Sequence, residues 1–146
     1  MVELKEIKKN NYNDCLKLQV AENQKNFVES NLYSMTRAWT FFDKAFPFAI
    51  YAGDRMVGFV MMAYYKPKDI YNIWQLMIDK HYQGKGYGIE ALLLVINHLI
   101  EKHNTPEIYL AYEPNNSVAE NLYSSVGFKR TGEIENSEIV MCLNTQ

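Results

Sequence analysis

The sequence predicts an α/β fold in which a mixed, mostly antiparallel sheet carries helices on both faces. Three observations support this fold class. The predicted elements follow the order βααβββαβαββ, two pairs of apolar runs are separated by short turns as in β-hairpins, and a glycine-rich loop joins an apolar run to a helical one. The 146 residues, 48% hydrophobic and 22% charged, suit one globular domain over 1–146.

In the N-terminal third the pattern predicts a strand, a helix, a polar loop and a second helix, over residues 2–7, 11–20, 21–31 and 34–42. Cys15, Leu16 and Val20 form the apolar side of the first helix. Ser34 is expected to provide the N-cap of the second helix.

The remaining two thirds are predicted to contain six strands and two helices. The strands are expected over 47–51, 56–65, 71–79, 106–112, 128–134 and 138–143, and the helices over 89–102 and 116–126. A Gly53-Asp54 turn joins the first two of these strands as a hairpin, and the third should be antiparallel to the second. One buried face of the first helix is formed by Leu92, Val95, Ile96 and Leu99. Gly127 is expected to provide a left-handed cap for the last helix.

The glycine loop Gln83-Gly84-Lys85-Gly86-Tyr87-Gly88 is the most informative motif. Alternate glycines allow the backbone to approach a ligand closely, and the first N–H groups of a helix lack partners and carry the positive end of its dipole. This arrangement favours phosphate binding, and a flexible turn is the alternative. The chain has no mononucleotide P-loop string, and the third glycine of a dinucleotide fingerprint would fall at Ile89. The motif therefore favours a pyrophosphate outside a dinucleotide.

Composition excludes several classes of function. A net charge of −2 argues against general nucleic-acid binding, and no apolar run is long enough to span a bilayer. The N-terminus lacks the apolar core of a signal peptide, so a cytoplasmic protein is expected. Cys15 and Cys142 are expected to be free thiols in a reducing compartment, with one disulfide as the alternative. No Cys/His cluster has metal-ligand spacing, so no metal is expected.

The predicted helix 116–126 carries a second motif. Ser117 and Glu120 have the spacing of a capping box. Residues predicted to face the core are spaced four apart, namely Val118, Leu122 and Val126. Ala119 and Tyr123 share an adjoining face and leave a slot beside the phenol. A packed tyrosine with a satisfied hydroxyl is the alternative interpretation.

Together these two motifs resemble the GNAT superfamily of acetyl-CoA-dependent N-acetyltransferases. The glycine loop matches that family's Gln/Arg-x-x-Gly-x-Gly/Ala pattern, and the element order agrees over nearly the whole chain. A closer resemblance, to bacterial spermine/spermidine (diamine) acetyltransferases, is carried by Ser34 and by residues 24–31, 48–51, 58–61 and 74–79. In that signature an arginine often stands where this chain has Gln75.

The resemblance implies a coenzyme A site. The backbone N–H groups expected to bind its pyrophosphate are those of Gln83, Gly84, Lys85, Gly86, Tyr87, Gly88 and Ile89. Met77 and Ile78 would pair with the pantetheine arm as an extra strand would, and a backbone N–H there would stabilise the oxyanion of the thioester carbonyl. Asn116 and Ala119 would contact the cofactor, and Tyr123 would protonate the leaving thiolate.

The resemblance also implies a cationic amine as acceptor. An alkylamine with a pKa of about 10 is protonated at neutral pH, so a base or a water molecule must first remove a proton. Residues 72–75 hold no carboxylate, and the base stays unassigned, with Glu113, Glu29 and water as candidates. Carboxylates and aromatic faces suit cations, and the expected substrate-binding residues are Glu29, Trp39, Trp74 and Glu113, with ordinary surface acids and core aromatics as the alternative.

The expected function is transfer of acetyl from acetyl-CoA to a primary amine, spermidine or spermine, by direct attack in a ternary complex. The alternatives are the same reaction on another amine, such as an amino acid, an aminoglycoside or a protein N-terminus, and a non-catalytic acyl-CoA sensor. A homodimer is also an expectation from the resemblance.

Overall fold

A computed structural model describes all 146 residues, and its elements follow the predicted order. The strands are β1 (Glu3–Glu6), β2 (Ala45–Ala52), β3 (Arg55–Tyr65), β4 (Ile70–Ile78), β5 (Glu107–Tyr112), β6 (Lys129–Glu135) and β7 (Glu138–Asn144). The helices are α1 (Tyr12–Lys17), α2 (Asn31–Thr40), α3 (Tyr87–His103) and α4 (Ser117–Ser125), with 3-10 turns at Glu22–Gln24 and Lys66–Lys68. None of the helices has the length and apolar character needed to cross a bilayer.

The seven strands form one sheet in the order β1-β2-β3-β4-β5-β7-β6. Every neighbouring pair is antiparallel except β4 and β5, which are parallel and connected through α3. Their pairing covers only Tyr71–Ile73 and Ile108–Leu110. Because β4 continues to Ile78 and β5 continues to Tyr112, the two strands separate beyond this short ladder. A gap therefore opens in the middle of the sheet.

Helices cover both faces of the sheet, as predicted. On one face α3 and α4 pack over the larger part of the core, and the predicted buried residues of α3, namely Leu92, Val95, Ile96 and Leu99, are all buried there. On the other face α1 and α2 pack around Cys15, Ala38 and Phe59. Both cysteines are free thiols.

The ends of the first two helices differ from the prediction. α1 stops at Lys17, because the chain turns so that the Gln19 N–H donates to the buried Asp79 carboxylate over 2.9 Å. Leu16, predicted to be apolar-facing, is accordingly exposed. α2 begins before the predicted N-cap, since the Ser30 hydroxyl oxygen accepts the N–H of Tyr33. Ser34 is buried inside the helix instead of capping it.

The α4 helix also differs from the prediction in its cap and its buried face. Its N-cap is Asn116, whose side-chain oxygen accepts the Ala119 N–H over 3.2 Å, so Ser117 does not form a capping box. Val118, predicted to face the core, is 67% exposed. A spacing of four residues drifts by about 40° per step around a helix with 3.6 residues per turn. Leu122 and Val126 pack against the core as predicted, and Ala119 and Tyr123 of the adjoining face pack there with them.

Candidate active-site groove

A groove of about 1300 Å³ passes through the gap between β4 and β5. One wall is formed by the glycine loop and α4, which we call the loop wall. The opposite wall is formed by the segment 24–29, α2, Trp74, Glu113 and the turn end of the β6–β7 hairpin, and we call it the acidic wall. Residues 75–78 of β4 and 109–112 of β5 form the floor between the two walls.

The glycine loop presents unsatisfied backbone donors to the loop wall. The seven consecutive N–H groups of residues 83–89 donate no hydrogen bond within the chain. Gly84 and Gly86 have φ values of 76° and 83°, a region that residues with a Cβ atom rarely adopt. Gly86 is the N-cap of the 17-residue helix α3. Free N–H groups at the N-terminus of a long helix form a site that fits a pyrophosphate.

The side chains of the loop differ in their placement. Five of the predicted residues line the groove, namely Gln83, Gly84, Gly86, Tyr87 and Gly88. Lys85 and Ile89 are exposed outside the lining. The Gln83 amide nitrogen donates to the Ile78 carbonyl over 2.9 Å and to the Gln24 side chain over 2.8 Å. Gln83 therefore ties the loop to the end of β4 and to the acidic wall.

The end of β4 exposes backbone groups to the gap. The Asp79 N–H donates to the Val57 carbonyl of β3 over 2.8 Å. In this antiparallel pair of strands Gly58 lies opposite Ile78, and Phe59 lies opposite Met77. Because hydrogen bonding alternates along an antiparallel ladder, Met77 directs its backbone toward β3 and Ile78 directs its own toward the gap. Of the two residues predicted to pair with a pantetheine arm, Ile78 has the N–H that faces the groove.

Gly58 allows β3 to approach this end of β4 closely. A Cβ atom at Gly58 would lie 2.4 Å from the Met77 carbonyl oxygen, which is far inside van der Waals contact. Glycine is therefore the residue that fits here.

Tyr123 of α4 reaches the groove beside the end of β5. Its ring packs against Tyr112 and Phe128, with ring centroids 6.2 Å and 5.9 Å apart. Burial, followed by the charge of Glu138, raises the pKa of Tyr123 to about 12. The phenol is therefore protonated at neutral pH and can donate a proton or a hydrogen bond. Asn116 and Ala119 line the groove next to it, as the sequence predicts.

Five carboxylates line the acidic wall, namely Glu29, Glu113, Glu133, Glu135 and Glu138. None of them forms an ion pair within the chain. Glu135 and Glu138 are directly paired across β6 and β7, an arrangement in which like charges repel. Burial and then the charges of Glu113, Glu135 and Glu29 raise the pKa of Glu138. An unpaired cluster of this kind attracts a cationic ligand.

The sequence indicated Glu29 and Glu113 but missed Glu133, Glu135 and Glu138. The three missed residues lie in the predicted C-terminal hairpin, yet nothing in the sequence places that hairpin beside β5. The pairing of Tyr112 with Ile139 does so, because it brings Glu113 and Glu138 to the same end of the sheet.

The two predicted tryptophans have different positions. Trp74 lines the groove, and its ring contacts Phe41 edge-on with centroids 5.9 Å apart. The Arg37 guanidinium lies 3.7 Å from the Trp74 ring centroid, within the range of a cation–π contact. The structure does not bring Trp39 to the groove: α2 buries Ser34 and Ala38, and Trp39 on its outer face is 79% exposed.

Gln75 of β4 holds the acidic wall in place through buried hydrogen bonds. Its buried amide nitrogen donates to the Glu29 carbonyl and to the Asn31 side-chain oxygen, each over 3.0 Å. Its amide oxygen accepts the Ser34 hydroxyl, and the Asn31 amide donates to the Cys15 carbonyl over 2.9 Å. This buried network attaches the segment that carries Glu29 to β4. Satisfied buried networks fix local geometry because each unpaired member would be costly.

An open sheet beside a cradle of free N–H groups defines a protein that binds a phosphate-bearing ligand next to a polar groove. The family model described as the acetyltransferase (GNAT) family matches residues 12–128. The chain therefore belongs to the GNAT family of acetyltransferases, and it is an enzyme of the N-acetyltransferase class.

Two curated relatives match nearly the full length. The chain is 34% identical to a "Probable spermine N(1)-acetyltransferase" of Bacillus subtilis subsp. natto (strain BEST195) over 96% of both chains. It is 33% identical to a "Spermine/spermidine N(1)-acetyltransferase" of Bacillus subtilis (strain 168) over 96% of both chains. The crystal structure of a spermidine N-acetyltransferase from Vibrio cholerae, in complex with CoA and spermine, has the same fold, with a TM-score of 0.76 and 18% identity over 97% of this chain and 92% of that chain.

Proposed function

We propose that this GNAT enzyme transfers the acetyl group of acetyl-CoA to a primary amine of a polyamine, such as spermidine or spermine, by direct attack in a ternary complex. The observation that carries the choice of acceptor is the set of five groove carboxylates without ion-pair partners. Carboxylates without ion-pair partners attract alkylammonium groups. The names of the two Bacillus relatives support the same acceptor.

The loop wall suits the cofactor of this reaction, which supplies an activated thioester when bound. The free N–H groups of residues 83–89 would bind its pyrophosphate. The Ile78 N–H, which faces the gap, would donate to the thioester carbonyl and stabilise negative charge on its oxygen. Tyr123, which stays protonated at neutral pH, would donate its proton to the leaving sulfur. Burial raises the pKa of a thiol as well as that of a phenol, so the pKa values of the leaving thiol and of Tyr123 would shift in the same direction.

One observation favours a second candidate acceptor. Arg37 lines the groove beside Trp74 and is the cation on that wall that faces Glu138. A guanidinium binds carboxylates in a bidentate manner, so an amine that also carries a carboxylate, such as an amino acid, would find a partner there.

Thiol release from acetyl-CoA across a panel of amines separates these candidates. The panel contains spermidine, spermine, putrescine, lysine, an aminoglycoside and a short peptide. We expect rapid release with spermidine or spermine. Release with lysine or the peptide alone would replace the polyamine with a carboxylate-bearing acceptor. Acetyl-CoA binding without release from any amine would favour a sensor.

A further inference from the structure

Glu138 lies where the acidic wall meets the reaction centre. It is the first residue of β7, it is half-buried, and it lines the groove. Its Cα partner on β6 is Glu135, and the pairing of β7 with β5 brings Glu113 alongside it. Three carboxylates, at or just beyond the ends of three neighbouring strands, therefore meet at one end of the sheet.

Glu138 differs from the other groove carboxylates in its relation to Tyr123. It is the one acidic residue whose charge contributes to the raised pKa of the Tyr123 phenol. Tyr112 pairs with Ile139, the neighbour of Glu138 on β7, and also packs against the Tyr123 ring. Glu138 and Tyr123 therefore line the same part of the groove. A base for the incoming amine must lie in the same place, since the amine nitrogen and the leaving sulfur bond to the same carbon atom.

The groups that face Glu138 come from every element around it. Glu113 follows β5, Glu135 ends β6, Glu29 precedes α2, and Arg37 belongs to α2. Burial is the largest cause of the raised pKa of Glu138; the three carboxylates raise it further, and Arg37 lowers it. A carboxylate with a raised pKa is a better match for an alkylammonium with a pKa of about 10, because proton transfer between them is less unfavourable.

We propose that Glu138 is the catalytic base that accepts a proton from the acceptor ammonium, while Glu29, Glu113 and Glu135 hold the remaining cationic groups of the acceptor. This inference rests on the proposed acetyl transfer to an amine. Neither the glycine loop nor the α4 motif supplies a base for the acceptor amine, and Glu138 would fill that role.

The step balances with the groups named. The Glu138 carboxylate takes one proton from the ammonium, and the freed lone pair forms the C–N bond to the acetyl carbon. The C–S bond breaks, its electron pair stays on sulfur, and the Tyr123 hydroxyl protonates the sulfur. The second proton lost by the nitrogen returns to the Tyr123 phenolate. Glu138 then releases its proton to solvent, so one proton is released for each acetyl group transferred.

The test compares Glu138→Gln with Glu135→Gln. Both variants remove one negative charge from the same cross-strand pair, so both weaken attraction of the cation, but only the first removes the proposed base. We expect Glu138→Gln to lower kcat at pH 7 by about a hundredfold to ten-thousandfold. Glu135→Gln should raise the KM for spermidine and, because the Glu135 charge helps to raise the pKa of Glu138, lower kcat by a clearly smaller factor than Glu138→Gln does.

The pH profile distinguishes a base from a merely structural residue. Near pH 9.5 a substantial fraction of the amine is already unprotonated, so the ratio of kcat between Glu135→Gln and Glu138→Gln should narrow at least tenfold between pH 7 and pH 9.5. Glu138→Asp, which keeps a carboxylate, should be more active than Glu138→Gln at pH 7. Thermal unfolding of each variant checks that the fold is retained.

Unchanged kcat in Glu138→Gln, or a deficit that is the same at both pH values, would overturn the assignment while wild-type acetyl transfer stands. If Glu138→Gln does not fold, a kcat of Glu138→Asp below that of Glu135→Gln, with the deficit shrinking toward pH 9.5, supports the base, and a constant deficit rejects it. Absence of thiol release in the wild type with every amine would instead reject the proposed function.

Discussion

The two walls of the groove bind by different chemistry. The loop wall is built from backbone: consecutive N–H groups at the start of one helix, held by two glycines with positive φ. The acidic wall is built from side chains: five carboxylates, an arginine and a tryptophan contributed by separate segments of the chain. The loop wall suits an anion and the acidic wall suits a cation. Because the two walls suit ligands of opposite charge, one groove can hold a phosphate-bearing donor and a cationic acceptor without either competing for the other's site.

Substitution of Tyr123 should have the largest effect, and it should affect turnover rather than ligand binding. Tyr123→Phe should lower turnover by about a hundredfold to ten-thousandfold, because it removes the proposed acid, while coenzyme A affinity stays within about threefold. Steady-state kinetics and calorimetric titration measure the two quantities.

Tyr112→Phe is the matched control for this substitution. Tyr112 packs against Tyr123, and its buried hydroxyl has no hydrogen-bond partner within the chain. Its loss should leave turnover nearly unchanged. Wild-type turnover in Tyr123→Phe would remove this residue from the mechanism.

The next effect concerns the loop wall alone. Gly86→Ala should weaken coenzyme A binding about tenfold to a hundredfold, because it disturbs N–H groups that bind a charged phosphate. Gly53→Ala is the control: Gly53 also has a positive φ and open space around it, but it lies in the β2–β3 turn. Both variants should lose about 1 kcal/mol of unfolding free energy through backbone strain. Equal coenzyme A affinity in the two variants would contradict the proposed cradle.

A smaller effect is expected on the acidic wall. Glu29→Gln should raise the KM for spermidine about threefold to tenfold and leave the KM for acetyl-CoA unchanged, because Glu29 is a solvent-exposed member of the wall. Glu22→Gln is the control, since Glu22 lies shortly before this segment but pairs with Lys25 and does not line the groove. Equal effects of Glu29→Gln on both substrates would argue against an acceptor role.

The smallest expected effect is a pH dependence of stability that arises from two histidines outside both walls. His98 and His103 pack beside Phe48 and Phe46, away from the groove. Burial is the main cause that lowers the pKa of each histidine, and Lys102 contributes to both. The folded protein therefore binds fewer protons than the unfolded chain, so stability should fall as the pH drops below about 6.5.

Urea unfolding at pH 5.5 and pH 7.5 measures this dependence on stability. The double variant His98→Gln/His103→Gln should show a smaller difference between the two pH values than the wild type. An unchanged difference would mean that other groups cause the pH dependence.

The contrast between the walls also explains what the sequence could predict. The sequence could indicate the glycine loop and Tyr123 as candidate site residues because each motif is contiguous or lies within one helix, where spacing determines geometry. It could not indicate Glu138, because only the sheet order β5-β7-β6 brings the C-terminal hairpin to the groove. The start of α2 was wrong because Gln75, more than 40 positions away, holds Asn31 and Ser34 inside the core. The position of Glu138 and the start of α2 both depend on contacts between residues far apart in the sequence. A local sequence pattern does not contain such contacts.

The most direct test of the account is the ratio of kcat/KM for spermidine to that for n-butylamine. Both present a primary amine, but only spermidine carries further cations for the acidic wall. Because each additional charged contact contributes about 1.5–3 kcal/mol when well placed, we expect a preference of at least about a hundredfold that shrinks as salt screens the wall. Equal values for the two amines, independent of salt, would contradict recognition of a polyamine by these carboxylates.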